Sequence, residues 1–187
     1  MKIKLIVSTF VILTCLSFVY ADNSTPSTNS VKNFTNLCVL LNNRLKLMKE
    51  VAAYKYINKL PIEDRNREKI VLNASIKKAI KEGLQPASVK SFFSTQIELS
   101  KYIQNQWFLK WDTTGFPKEY IPMNLKHEIR PKLIIIGDEI VKSIKQIKDE
   151  KIEYAEQKII INKIINTKFI TATQKEKLLQ AIITIKK

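Results

Sequence analysis

The spacing of the apolar residues constrains the fold most strongly, because it is helical along almost all of the chain after residue 31. In the first such stretch, alternating steps of four and three residues place on one face Leu37, Leu41, Arg44, Met48, Val51 and Lys55. In a later stretch, one stripe carries Phe93, Ile97, Ser100, Gln104, Trp107 and Trp111. Only 3 Gly and 6 Pro occur in 187 residues, which argues against a turn-rich β-sandwich or barrel. The sequence therefore predicts an all-α protein, a bundle of about six helices.

The beginning of the chain has the pattern of a cleavable secretory signal peptide over residues 1–21. Residues 1–4 are basic, a long apolar run follows, and residues 19–21 end in the small residue Ala21. Residues 22–30 are polar and contain a proline, which predicts a flexible tether. We therefore expect a periplasmic or secreted protein that is cleaved after Ala21 and folds over residues 31–187.

Helix caps and breakers divide this domain. Pro61 ends the first helix, Asp64 opens the second, and Gly83 ends it. The third helix covers residues 86–111, and after a loop Pro131 suits the first turn of a fourth. Two lysine-rich segments near residues 152–165 and 171–187 complete the bundle. We expect residues 31–112 to form the active-site core and residues 124–187 to form a C-terminal helical extension.

Several polar residues lie where a bundle interior is expected. Arg44 and Lys55 lie on the apolar face of the first predicted helix, and Ser100 and Gln104 lie on that of the third. Asp64, Arg67 and Glu68 lie in the first turn of the second predicted helix. Burying an unpaired cation costs several kcal/mol, so these cations need anionic partners. Two interpretations follow: the long side chains reach solvent at the ends of the bundle, or they form a cationic pocket for a small, multiply charged anion.

The same residues belong to an ordered pattern. It reads Arg44-Leu45-x-Leu47-Met48-x-x-Val51-Ala52-x-Tyr54-Lys55, then Leu60-Pro61-Ile62-Glu63-Asp64-x-x-Arg67-Glu68, then Phe92-Phe93-x-x-Gln96-Ile97-x-x-Ser100-Lys101-x-Ile103-Gln104. This pattern resembles the all-helical chorismate mutases. The signal peptide, the C-terminal extension and the pair Arg130-Pro131 are similar to the exported, or gamma, subclass of that family. The resemblance implies an isomerase that rearranges chorismate to prephenate.

The resemblance also implies a role for each polar residue. Lys55 and Gln104 would donate hydrogen bonds to the ether oxygen of the substrate. Arg44 and Arg130 would bind the substrate carboxylates, with Arg67 nearby. This would make Lys55, Gln104 and Arg44 the catalytic residues.

The remaining site residues complete this implied pocket. Ser100 would help to bind a carboxylate, and Glu68 would accept a hydrogen bond from the ring hydroxyl. Asp64 would orient Lys55 or Arg67, and Val71 would form part of the pocket wall or plain core. The resemblance implies no cofactor and no metal, and it implies a homodimer.

The composition limits the other classes of function. One His excludes a multi-histidine metal site, and His127 is expected at the surface. After cleavage only Cys38 is left, so an internal disulfide is excluded and this thiol is expected to pack inertly. The charge of +15 supports an alternative, a secreted cationic helical protein that binds nucleic acid or an anionic membrane. Because acids are interspersed with the lysines and no basic run occurs, we expect neither a specific nucleic-acid partner nor a membrane partner after cleavage.

Overall fold

The computed structural model describes residues 27–187, which form seven α-helices and one π-helical turn. The helices are α1 (Thr28–Lys46), α2 (Met48–Ile57), α3 (Arg65–Lys81), α4 (Pro86–Thr114), α5 (Arg130–Ile147), α6 (Tyr154–Ile164) and α7 (Ala172–Ile183). The π-helical turn, Leu125–Ile129, leads directly into α5. No strand occurs within these residues, so the prediction of an all-α fold is confirmed.

The predicted signal peptide lies outside the described residues, but the end of the predicted tether lies within them. Helix α1 begins at Thr28, so the prediction that the tether extends to residue 30 is wrong. The Ser27 side chain accepts a hydrogen bond from the Ser30 backbone N–H at 3.1 Å. The same N–H also donates to the Ser27 carbonyl at 2.9 Å, so the cap adds a second acceptor to the first turn and allows the helix to start three residues early.

The predicted first helix is divided at Leu47 into α1 and α2. Leu47 keeps helical dihedral angles (φ −62°, ψ −16°), and its N–H still donates to the Asn43 carbonyl. The two helices therefore form one rod with a local irregularity. The face predicted for this rod is buried along its length, from Leu37 to Lys55.

This rod crosses the centre of the bundle. Helix α1 packs against α5 and α6, whereas α2 packs against α4. Helices α3 and α7 cover other parts of α4. The largest fully buried side chains include Phe34, Leu41, Phe92 and Ile144. Cys38 is also fully buried, and burial raises the pKa of its thiol to about 12.

The loop between α4 and α5 is fastened to α2 by one carboxylate. Tyr120 donates its hydroxyl to Glu50, and the Met123 backbone N–H donates to the other oxygen of Glu50 at 3.2 Å. Asn124 then caps the π-helical turn by accepting from two backbone N–H groups. This anchored loop determines where α5 begins, and Arg130 is the first residue of α5.

Within residues 27–187, we find no helix that is both long enough and apolar enough to cross a bilayer.

Candidate active site

The α1–α2 rod, α3, α4 and the start of α5 enclose a cavity of about 250 Å³. All residues that the sequence predicted for the site line this cavity. They are Arg44, Lys55, Asp64, Arg67, Glu68, Val71, Ser100, Gln104 and Arg130. Of the two interpretations of the buried cations, the structure therefore favours a cationic pocket.

Lys55 lies in the last turn of α2 and is only 7% exposed. Its ammonium group donates to the Ile62 backbone carbonyl at 2.6 Å, in the link between α2 and α3. Burial lowers the pKa of Lys55, and the nearby carboxylates of Asp64 and Glu68 oppose that shift. Because an ammonium group has three donors, this lysine can hold the link and still donate into the cavity.

Arg44 is 6% exposed and incompletely hydrogen-bonded. Its Nη1 donates to the Leu133 carbonyl of α5 at 3.4 Å, whereas its buried Nε has no partner among the described residues. Burial lowers the pKa of Arg44 to about 10, and repulsion from Arg67 adds to the effect. A buried cation with an unused donor provides a site for an anion.

Asp64 links the start of α3 to Arg130, the first residue of α5. One carboxylate oxygen caps α3 by accepting from the Arg67 backbone N–H at 3.0 Å. The other lies 3.4 Å from Nη2 of Arg130. Burial and repulsion from Arg130 lower the pKa of Arg67. Asp64 thus lies between two arginines and partly offsets their repulsion.

Two neighbouring polar residues of α4 bond to the backbone of their own helix. Ser100 donates its hydroxyl to the Gln96 carbonyl at 2.7 Å. Gln104 donates from Nε2 to the Ser100 carbonyl at 3.1 Å and lies 3.7 Å from the Met48 sulfur. Its buried Oε1 has no partner in the described part of the chain. An amide nitrogen carries two hydrogens, and the one directed at the Met48 sulfur, a weak acceptor, is available to a stronger acceptor in the cavity.

Lys101 is a cavity residue to which the sequence analysis gave no role. Its ammonium group lies 3.2 Å from Oε2 of Glu68 and 3.8 Å from Oε1 of Glu63. Oε1 of Glu68 is buried without a partner among the described residues. Lys101 thus orients the Glu68 carboxylate and leaves one of its oxygens free. Its place in the pattern, directly after Ser100, was the available signal.

The charges around the cavity do not cancel. Its wall contains five cationic residues, namely Arg44, Lys55, Arg67, Lys101 and Arg130, and three acidic ones, namely Asp64, Glu68 and Asp138. Formally, two positive charges are in excess, which matches a doubly charged anion. Apolar side chains such as Val51, Val71 and Ile97 line the rest of the wall. No group of acids, His and Cys in residues 27–187 is arranged to hold a metal ion.

Comparison with known proteins identifies the family. The sequence profile of "Chorismate mutase type II" matches residues 35–105. The chain is 33% identical over 111 residues to the monofunctional chorismate mutase of Enterobacter agglomerans, covering 59% of this chain and 60% of that relative. It is 43% identical over 72 residues to the secreted chorismate mutase of Yersinia pestis, covering 38% and 39%. Each match thus spans less than two thirds of the curated relative.

A solved structure extends the likeness beyond these segments. The crystal structure of chorismate mutase from Burkholderia thailandensis superposes with a TM-score of 0.68 at 30% identity, covering 82% of this chain and 98% of that chain. The fold is that of the all-helical mutases, and it carries a cavity with an excess of cationic side chains. The chain belongs to the all-helical, type II chorismate mutase family, which confirms the resemblance found in the sequence.

Proposed function

We propose that the protein is a chorismate mutase, which rearranges chorismate to prephenate. The observation that carries this proposal is the cavity with two excess positive charges, because the substrate is a compact dicarboxylate. In this pericyclic reaction one C–O bond breaks and one C–C bond forms, without proton transfer or a covalent intermediate. The chemistry asks the protein only for conformational restraint and for donors at the developing charge.

Arg44 and Arg130 are proposed to bind the two carboxylates and to hold the substrate in its reactive conformer. The unpartnered Nε of Arg44 supports this role. Lys55 and Gln104 are proposed to donate to the ether oxygen, on which negative charge grows. An acceleration of about a millionfold requires roughly 8 kcal/mol. Several charge-assisted hydrogen bonds of about 1.5–3 kcal/mol each supply much of this in a dry cavity.

The other cavity residues are proposed to support these contacts. Glu68 would accept from the ring hydroxyl through its unpartnered Oε1. Ser100 would help to bind a carboxylate. Asp64 and Arg67 would set the charge and position of the arginine and lysine groups, and Val71 would form apolar wall.

The direct test is to incubate residues 22–187 with chorismate and to follow the loss of its ultraviolet absorbance. We expect saturable turnover that moderate salt hardly changes, because the contacts are buried. Arg44→Ala should abolish most of it, whereas Lys46→Ala, on the exposed side of the same helix, should not. Absence of turnover, together with nucleic-acid or vesicle binding that collapses as salt rises, would instead support the polyanion-binding alternative.

We also propose that the protein is exported and that it forms a homodimer. The signal-like residues 1–21 and a relative described as secreted support export. Sequencing the N-terminus of protein recovered from outside the cytoplasm should give Asp22. Exposed isoleucines on α5 and α6, among them Ile134, Ile135 and Ile159, offer apolar surface for a second copy. Light scattering should give twice the chain mass; a monomer mass at all micromolar concentrations would contradict the dimer.

A further inference from the structure

Away from the active-site cavity, three lysines surround the ring of Trp107. Their Nζ atoms lie 5.4 Å (Lys49), 5.2 Å (Lys110) and 5.3 Å (Lys168) from the ring centroid. Lys49 comes from α2, Lys110 from α4, and Lys168 from the turn between α6 and α7. Because these elements are distant in sequence, the tertiary fold brings the three charges together.

These charges are not neutralised by the protein. None of the three lysines forms an ion pair with any residue of the described chain. Glu50, next to Lys49 in sequence, is bound by the Tyr120 hydroxyl and by a backbone N–H. The proximity of Lys168 lowers the pKa of Lys110, and repulsion from Lys49 adds to the effect. An anion bound to these lysines would relieve their mutual repulsion.

A separate cavity of about 340 Å³ adjoins Lys49 and Lys110, whereas Lys168 lies against Trp107 outside the wall of this cavity. Its wall includes Lys49, Lys110, Trp107, Phe116 and Tyr120, and it shares no lining residue with the active-site cavity. The ring of Trp107 already contacts two other aromatic rings. It stacks on Trp111 at 5.3 Å and meets Phe169 edge-on at 5.2 Å. The site therefore selects its ligand by charge rather than by stacking on this indole.

We propose that Lys49, Lys110 and Lys168 form a second binding site, separate from the active site, for a compact doubly charged oxyanion. A phosphate group, free or esterified, has this chemistry, because it carries up to two negative charges near neutral pH on several strong acceptor oxygens. A single carboxylate would neutralise only one of the three ammonium groups. Trp107 and its neighbours form a rigid aromatic support that holds the lysine stems in place.

Tryptophan fluorescence tests the proposal directly, because the chain has only 2 Trp and both line this cavity. Inorganic phosphate is titrated into the protein at constant ionic strength, with sodium chloride making up the balance. A nucleoside monophosphate serves as the phosphate-ester arm. We expect a saturable change in emission; saturation by inorganic phosphate identifies the free ion, and saturation by the ester alone identifies an esterified group. A response to both that is only linear would overturn the proposal.

Variants locate the binding. Lys110→Met and Lys168→Met should each weaken phosphate binding at least about tenfold while retaining the apolar stem and the circular dichroism of the native fold. The matched control is Lys90→Met, an exposed lysine on the same helix about 30 Å away. Basal chorismate turnover should be unchanged in all three. Lys168 is itself exposed, so its variant remains informative if the Lys110 variant does not fold. Phosphate binding that survives both substitutions, as binding in the active-site cavity would, refutes the site.

Discussion

In the proposed role of Gln104, its replacement by glutamate should confine mutase activity to acid pH. The Gln104 amide is 4% exposed and donates to the Ser100 carbonyl at 3.1 Å. A neutral amide keeps its donors at every pH. An ionised carboxylate at this position has no donor. It would repel the Ser100 carbonyl and the substrate ether oxygen, because all of them are hydrogen-bond acceptors.

The size of the effect follows from this lost donor. Removing one donor to a developing oxyanion costs about a hundredfold to a thousandfold in rate, or about 2.7–4 kcal/mol. An ionised carboxylate also lowers the excess positive charge of the cavity from two to one. The ordinary pKa of a glutamic acid side chain is about 4.3. Burial raises the pKa of the introduced carboxyl, whereas Arg44 and Lys55 lower it. Below that pKa, the protonated acid should restore donation and much of the rate.

The wild-type profile should also fall as pH rises, but only at its alkaline end. In its proposed role Lys55 acts as a cation, so its contribution to the rate is present below its pKa and lost as pH rises through that pKa. Burial lowers this pKa from the ordinary 10.5, which moves the loss to lower pH. We therefore expect kcat/KM to be flat from about pH 5 through neutral pH. It should then fall at an alkaline pH below the ordinary lysine pKa.

The assay is a pair of kcat/KM profiles, for the wild type and Gln104→Glu. Gln106→Glu is the matched control, because it adds the same charge to α4 at a residue outside the cavity wall. Its profile should follow the wild type. A wild-type rate that climbs steeply toward acid, or a Gln104→Glu profile that stays flat, would show that Gln104 does not touch the ether oxygen.

Three further substitutions test the site and the fold separately. Lys55→Ala should lower kcat more than it raises KM, with unchanged helicity by circular dichroism; retention of more than about a tenth of kcat would refute its role. Gln96→Leu should stabilise the protein by about 1–3 kcal/mol in urea unfolding, because both amide atoms of this fully buried side chain lack partners among residues 27–187. Asn42→Ala should destabilise it by about 2–4 kcal/mol in the same assay, because the Asn42 side chain makes three hydrogen bonds to Asn166 and Thr167; a loss below about 1 kcal/mol would contradict this.

The sequence predicted the site residues that lie on apolar helical faces. Arg44 and Lys55 stand eleven residues apart, which is close to three helical turns, so periodicity alone placed both on the buried side of the rod. The same argument placed Ser100 and Gln104 on α4. In such cases a polar residue contradicts its local pattern, and the contradiction is visible without coordinates.

Contacts that depend on the relative placement of helices could not be predicted in this way. Lys101 is half-buried at the edge of the α4 stripe, where a lysine is unremarkable. Its significance comes from α3, which brings Glu68 within 3.2 Å. The Ile62 carbonyl, which accepts from Lys55, carries no signal in its side chain at all. The irregularity at Leu47 likewise has no local breaker residue in the sequence.

Arg130 shows how tertiary structure completes the cavity. Nothing in the period of α5 distinguishes this arginine, and it reaches the cavity because the loop before it is fixed to α2 by Glu50. Its guanidinium then lies against Asp64, which also caps α3. One carboxylate on α2 and one at the start of α3 thus position a residue of the C-terminal extension.

Several buried polar atoms of the cavity lack partners among the described residues, which costs the fold stability but favours a particular ligand. Nε of Arg44, Oε1 of Glu68 and Oε1 of Gln104 are all buried and unpaired among the described residues. Each costs about 1–3 kcal/mol relative to a satisfied group, and apolar replacements would pack at less cost. For two of these three atoms a ligand can supply the missing partner: an anionic group for Arg44 and a hydroxyl for Glu68. A dianion carrying a hydroxyl has this chemistry, and a simple inorganic anion lacks the hydroxyl. The same unpaired atoms that weaken the free fold therefore define which ligand fits.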